Sequence, residues 1–228
     1  MSERLLEGLN PQQQSAVRHF GGPLLVVAGA GSGKTRVLTR RIAYLMAARD
    51  VQPYEILAIT FTNKAAGEMK ERVSELVGNR AKLMWVSTFH SACVRILRQE
   101  AVRLGYSSTF SIYDQADSLR LITLVMRDLN LDPKRYNPRG VASVISNAKN
   151  ELLGPADYRN ATQNHFEEVV AEVYDIYQQR LTAANAMDFD DLIMKTVEVL
   201  QRFPEARARY RHRFKHILVD EYQDTNHA

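Results

Sequence analysis

Leu24-Leu25-Val26-Val27-Ala28-Gly29-Ala30-Gly31-Ser32-Gly33-Lys34-Thr35 decides the fold of this 228-residue chain. The four apolar residues from Leu24 to Val27 predict a buried parallel strand. After the glycine-rich turn, Val37, Leu38, Ile42, Leu45 and Met46 mark one apolar face at helical spacing. Strand, glycine loop and helix in that order are the setting of a phosphate-binding loop. The glycines at 29, 31 and 33 let the backbone bend until its N–H groups, with those of Ala28, Ala30 and Ser32, converge on phosphate oxygens, and the helix N-terminus adds a positive dipole. Lys34 is expected to reach the β- and γ-phosphates, and the Thr35 hydroxyl to ligate Mg²⁺. Ala28 stands where the strict pattern has its first glycine. The competing reading is a glycine-rich connector with a chance lysine.

Three further runs predict parallel strands: Ile56 to Phe61, Met84 to Thr88 and Ile217 to Val219. Between them, Met69, Val73, Leu76 and Val77 predict one helix, and Val94, Leu97, Ala101 and Leu104 another. This alternation is that of an α/β parallel sheet. The last strand delivers Asp220 and Glu221 to its C-terminal end, where ligands gather in open α/β sheets. An acidic turn after a strand says little alone; paired with the glycine loop it predicts Mg-ATP binding, with Asp220 on the metal shell and Glu221 orienting or deprotonating the attacking water.

From about Ser111 to Asn185 the pattern changes to helical periods with no strand expected. Leu119, Ile122, Met126 and Leu129 give one helix, and Val141, Val144, Ile145 and Ala148 a shorter one. A long one carries Phe166, Val169, Val170, Val173, Tyr174, Tyr177 and Leu181. Asn137-Pro138 and Gly154-Pro155 break the stretch. It reads as an all-helical insertion, after which a helix with Ile193, Thr196, Val197 and Leu200 returns the chain to the last strand, making the α/β core discontinuous.

Composition narrows the class. With 45% hydrophobic and 25% charged residues the chain can bury a real core. Cys93 is the single cysteine, so neither an internal disulfide nor a thiolate metal cluster is expected, and a reducing setting fits. The start, Met1-Ser2-Glu3-Arg4, does not open an apolar signal sequence, and no run approaches the ~20 apolar residues that span a bilayer. A cytoplasmic protein is expected. The net charge of +4 permits a polyanionic partner without demanding one. The arginine-rich stretch from Arg207 to Arg213 reads as a solvated helix face that could also meet phosphate.

Five strings, in order, resemble the UvrD/Rep/PcrA-type superfamily 1 DNA helicases. Leu9-Asn10-Pro11-Gln12-Gln13 is similar to their Q motif and, beyond the Walker A glycine loop, Thr60-Phe61-Thr62-Asn63-Lys64-Ala65-Ala66 to motif Ia. Ser87-Thr88-Phe89-His90-Ser91 resembles the motif that follows, and Asp188-Phe189-Asp190-Asp191-Leu192 the element returning from the insertion. Asp220-Glu221-Tyr222-Gln223-Asp224-Thr225-Asn226 is similar to motif II, with Walker B in its strand. The resemblance implies a RecA-like P-loop NTPase sheet, domain 1A (1–107 and 187–228), interrupted by helical domain 1B (108–186). The insertion is short, which favours the plain helicase branch over nuclease-linked relatives.

Carried over by position, Gln13 would read the adenine edge, with Arg36 beside the base or ribose. Asn10, Pro11 and Gln13 also form a capping-box helix start, and the two roles are compatible. Gln223 would couple the γ-phosphate to DNA movement. Phe61, with donors from Thr62, Asn63 and Lys64, would carry single-stranded DNA, and Thr88, Phe89 and His90 would extend that track. Without the resemblance, Phe61 and Phe89 read as core aromatics and His90 as a local cap. Trp85, Cys93, Tyr174 and Tyr177 are assigned to the core.

The resemblance also implies what lies beyond Ala228: the arginines that reach the γ-phosphate, worth roughly 10³ to 10⁵ in rate, the second RecA-like lobe, and a strand between the Walker A and Walker B strands. This chain alone is therefore expected to hydrolyse ATP poorly, not to translocate and to be marginally stable. Two readings follow: the amino-terminal part of a 3′ to 5′ ATP-dependent DNA helicase acting at single-stranded DNA and its junctions, with repair or replication proteins as partners, or a non-motor nucleotide- or DNA-binding module completed by another chain.

Overall fold

A computed structural model describes residues 3–225. Asn226, the last residue of the motif II string, lies outside the described residues, as do Met1, Ser2 and Ala228. The chain packs as two compact units, residues 3–92 with 208–224, and residues 93–207.

In the first unit, α1 (Pro11–Arg18) starts at a full capping box, in which Asn10 accepts from the Gln13 backbone while the Gln13 side chain accepts from the Asn10 backbone. Next come α2 (Lys34–Ala48), β1 (Ile56–Thr60), α3 (Asn63–Val77), β2 (Trp85–Thr88) and α4 (Phe89–Glu100), which crosses into the second unit. The core of this unit joins Ile42, Leu45 and Met46 of α2 to Met69 and Val73 of α3 and to Ile56 and Ala58 of β1, the helical faces read from the sequence.

The second unit continues with β3 (Ser111–Tyr113), α5 (Gln115–Asp128), α6 (Pro138–Asn150), α7 (Pro155–Ala161), α8 (His165–Ala183), β4 (Ala186–Asp188) and α9 (Phe189–Arg202). Then α10 (Pro204–Arg213) returns the chain to the first unit, which ends with β5 (His216–Val219). The main sheet is parallel in the order β2-β1-β5. Thr60 sits opposite Thr88, and Ile59 opposite Val219, so β1, β2 and β5 end at nearly one level.

Two expectations need correction. Leu24 to Val27 is not a strand: it has no ladder partner among the described residues, and Leu25 and Val27 are 70% and 88% exposed. β-Propensity alone does not hold a strand, which needs a hydrogen-bonding neighbour and a covered face. The inserted stretch, in turn, is not all-helical. Its β3 pairs in parallel with β4, Ser111 opposite Ala186 and Tyr113 opposite Asp188. Three residues are too few for a period of two to show, so this strand exists through its partner alone.

The second unit is built around α5, α6 and α8, with Tyr174 and Tyr177 fully buried as expected. Lys149 of α6 is buried beside them. Its ammonium donates to Asp188 at 2.7 Å and lies 3.0 Å from Asp191. The Tyr177 hydroxyl donates to the same Asp188 oxygen at 2.7 Å, and Gln178 donates to Asp191 at 3.1 Å. Burial pulls the Lys149 pKa down, but Asp191 and then Asp188 outweigh it, so the group ends above the ordinary lysine value. The same two aspartates form the capping box that starts α9. One pair of carboxylates thus neutralises a buried cation and begins a helix.

Candidate functional site

The glycine loop is shaped by Gly31 and Gly33, whose φ angles of +74° and +84° are left-handed. A Cβ on Gly33 would stand 3.2 Å from the Gln13 amide nitrogen, so side-chain crowding as well as backbone conformation favours glycine there. The Ser32 hydroxyl donates to the Gly29 carbonyl at 2.6 Å and closes the turn. Lys34 opens α2 and donates its ammonium to the Ala28 carbonyl at 3.2 Å, folding the side chain back over the loop.

Gln13 is brought to this loop by α1. Its amide nitrogen donates to the Ser32 carbonyl at 2.8 Å while its oxygen accepts from the Asn10 backbone at 3.0 Å. The capping role read from the sequence is present, and the same side chain reaches the glycine loop.

At the other side, β5 delivers Asp220 and Glu221. The Asp220 backbone N–H donates to the Ile59 carbonyl at 2.9 Å, continuing the ladder one residue past the strand. Burial and the neighbouring charge of Glu221 raise the Asp220 pKa, opposed by a backbone hydrogen bond and by the Lys34 ammonium. Glu221 adopts φ of +50°, a left-handed conformation costing a non-glycine residue roughly 1–2 kcal/mol. Gln223 donates its side-chain amide to the Glu221 carboxylate.

A cleft of about 480 Å³ is lined by Gly29, Ala30, Gly31, Gly33, Lys34, Thr35 and Arg36 of the loop and by Glu221, whereas Gln13, Asp220 and Gln223 do not line it. Arg72 of α3 lines it too. No motif marks Arg72; its only sequence signal is a basic residue on a helix that follows a strand of the same sheet. Among the described residues no three His, Cys, Asp or Glu side chains converge to hold an ion alone. Thr35 and Asp220 offer hard oxygen donors of the kind Mg²⁺ takes together with phosphate oxygens and water.

The second candidate surface lies past the ends of β1 and β2. Phe61 and Phe89 face each other with ring centroids 5.5 Å apart, tilted by 58°, and Phe61 is 38% exposed. Thr62 caps α3 by accepting from the Ala65 N–H at 3.1 Å, and Asn63 and Lys64 are exposed in its first turn. Thr88 accepts from the Ser91 N–H at 3.2 Å and donates to its hydroxyl at 2.9 Å. His90, in the first turn of α4, is half-buried. Trp85 packs edge-on to Phe214 at 4.9 Å, as a core residue should. Cys93 is buried, and burial raises its thiol pKa.

Residues 9–228 match the family described as the UvrD/REP helicase N-terminal domain. Along its whole length the chain is 63% identical to the ATP-dependent DNA helicase UvrD1 of Mycobacterium tuberculosis, covering 30% of that protein. It is 54% identical to the ATP-dependent DNA helicase PcrA of Bacillus subtilis, again over its whole length and 31% of the relative. With PcrA of Staphylococcus aureus it shares 53% over 98% of its length. The chain spans about 30% of the length of the curated relatives it matches.

Proposed function

This chain belongs to the UvrD/REP helicase N-terminal domain family, and we propose that it is the ATP-binding and single-stranded-DNA-binding part of an ATP-dependent 3′ to 5′ DNA helicase. The observation that carries the reading is the cleft in which the glycine loop, Lys34, Thr35 and Glu221 meet, although loop and acid stand at opposite ends of the sequence.

In this reading the loop amides from Ala28 to Gly33 and the Lys34 ammonium hold the β- and γ-phosphates. Gln13 and Arg36 meet the base and ribose. Thr35 and Asp220 would hold Mg²⁺, which when bound supplies charge neutralisation between the phosphates. Glu221 orients or deprotonates the attacking water, and Gln223, hydrogen-bonded to Glu221, carries the state of the γ-phosphate onward. Phe61 and Phe89 offer ring faces to bases of a single strand, with Thr62, Asn63, Lys64, Thr88 and His90 as backbone donors.

Residues 1–107 and 187–228 then form domain 1A and residues 108–186 domain 1B, while packing draws its first line earlier, inside α4, and its second later, inside α10. A second RecA-like lobe, in the same chain or another, supplies the remaining charge stabilisation and the alternating grip. Without it, little hydrolysis and no unwinding are expected. Single-stranded DNA and its junctions are the substrates, and repair or replication the setting.

The test is a pair of variants in the full-length protein. Lys34→Ala abolishes Mg-ATP binding by calorimetry; an unchanged affinity sinks the site. Glu221→Gln keeps the nucleotide but lowers DNA-stimulated hydrolysis by about 10²- to 10⁴-fold, the contribution of a positioned general base.

A further inference from the structure

We infer that Arg41 is a positioning residue for the base of the bound nucleotide, because it fastens the helix carrying Gln13 to the helix carrying the phosphate loop. The inference rests on the reading of Gln13 as the residue that meets adenine.

Helix α1 has only eight residues, too few to be stable by itself. Its apolar contacts are few: Val17 packs with Leu6, Leu9 and Val37, flanked by Ala16 and Tyr44. Its last carbonyls have no partner within the helix. Arg41 of α2 supplies one. A single guanidinium nitrogen, Nη1, donates to the Ala16 carbonyl at 2.9 Å and the His19 carbonyl at 2.6 Å, with the Val17 carbonyl at 3.5 Å. A cation against the negative end of a helix dipole, through charge-assisted bonds, is the favourable arrangement. Half-buried as it is, the guanidinium would be costly there without those acceptors.

The other end of α1 is tied to the same element, since Gln13 donates to the Ser32 carbonyl at 2.8 Å. Both ties thus run to the continuous stretch from Ser32 through α2. Leu24 to Val27, which leads into the loop, has no ladder partner among the described residues to fix it from the sheet side. The place of Gln13 relative to the phosphates is therefore set by Arg41 and Ser32 at the two ends of α1, with Val17 against Val37 as the contact between them. Loosening the Arg41 end lets α1 pivot, which moves Gln13 along the base edge. The phosphate contacts belong to the loop and Lys34, and they survive that motion.

Consequently Arg41 separates base affinity from phosphate affinity, a split that general destabilisation does not produce. The experiment is calorimetry on the full-length protein with Mg-ATP, Mg-GTP and inorganic tripolyphosphate. Arg41→Ala is expected to weaken ATP by about tenfold, what one base-edge hydrogen bond is worth, to leave tripolyphosphate unchanged and to narrow the preference for ATP over GTP. An unchanged ATP affinity, or parallel loss of ATP and tripolyphosphate, overturns the inference. Gln13→Ala is the control: if it leaves the ATP to tripolyphosphate ratio untouched, the adenine reading falls and takes the inference with it. If Gln13→Ala collapses the ratio and Arg41→Ala does not, only the role of Arg41 falls. Should Arg41→Ala fail to fold, Arg41→Gln, whose shorter neutral side chain cannot reach the carbonyls, is read by the same ratios.

Discussion

The rings of Phe61 and Phe89 lie 5.5 Å apart, each one residue past the end of neighbouring parallel strands whose last residues, Thr60 and Thr88, are paired. Strand register therefore brings the two aromatics together, and Phe61 keeps 38% of its surface open. Phe61→Ala is expected to weaken single-stranded DNA binding by about 1–3 kcal/mol, the worth of one base stacked on an aromatic ring, with ATP affinity nearly unchanged. Fluorescence anisotropy with an oligonucleotide and calorimetry with ATP decide it; equal loss of both assigns Phe61 to the core.

Asp220 gives a pH prediction. Its pKa is raised by burial and by Glu221, so the fold favours the protonated form and bears a cost that builds as pH rises from the unfolded pKa and is complete above the folded one. That cost is absent below the ordinary carboxylate range, near about 3.9. Asp220→Asn removes it, so the nucleotide-free protein should melt at a higher temperature than the parent at neutral pH, the difference closing as pH falls, while Mg-ATP binding is lost. A lower melting temperature at pH 7 contradicts this account.

Lys149 tests the second unit. Removing the ammonium leaves Asp188 and Asp191 facing each other in the core, and breaking a buried pair in this way costs about 3–5 kcal/mol. Lys149→Ala should show that loss in urea unfolding. Tyr177→Phe, which deletes one donor to Asp188, should cost about 1–3 kcal/mol. A Lys149→Ala variant within about 0.5 kcal/mol of the parent would mean that the cluster contributes nothing.

The sequence was legible where local signals coincide with packing. The helical faces of α2, α3, α5, α6 and α8 were visible because 3.6-residue periodicity is a property of the segment itself, whereas α9 buries Leu192, Met194 and Val199 where Ile193, Val197 and Leu200 were expected and shares only Thr196 with that reading. The glycine loop and the acidic pair were visible because each carries its own pattern, and one cleft brings the loop and Glu221 together. Leu24 to Val27 misled because a strand is half a property of its neighbour. The pairing of β3 with β4 was missed for the same reason. Arg41 and Arg72 left no trace in the sequence, since an arginine that clamps carbonyls or lines a cleft looks like any other on a helix. The lysine at 149 was equally silent, its aspartates being visible only as part of a motif.

The exposed apolar run leading into the phosphate loop has a consequence for handling. Leu24 to Val27 offers peptide groups with no ladder partner among the described residues, while β5 forms one edge of the sheet with Ile217 62% exposed. Two such seams in one molecule are templates for edge-to-edge pairing between copies. In concentrated solution copies of this polypeptide are therefore expected to pair along these two seams.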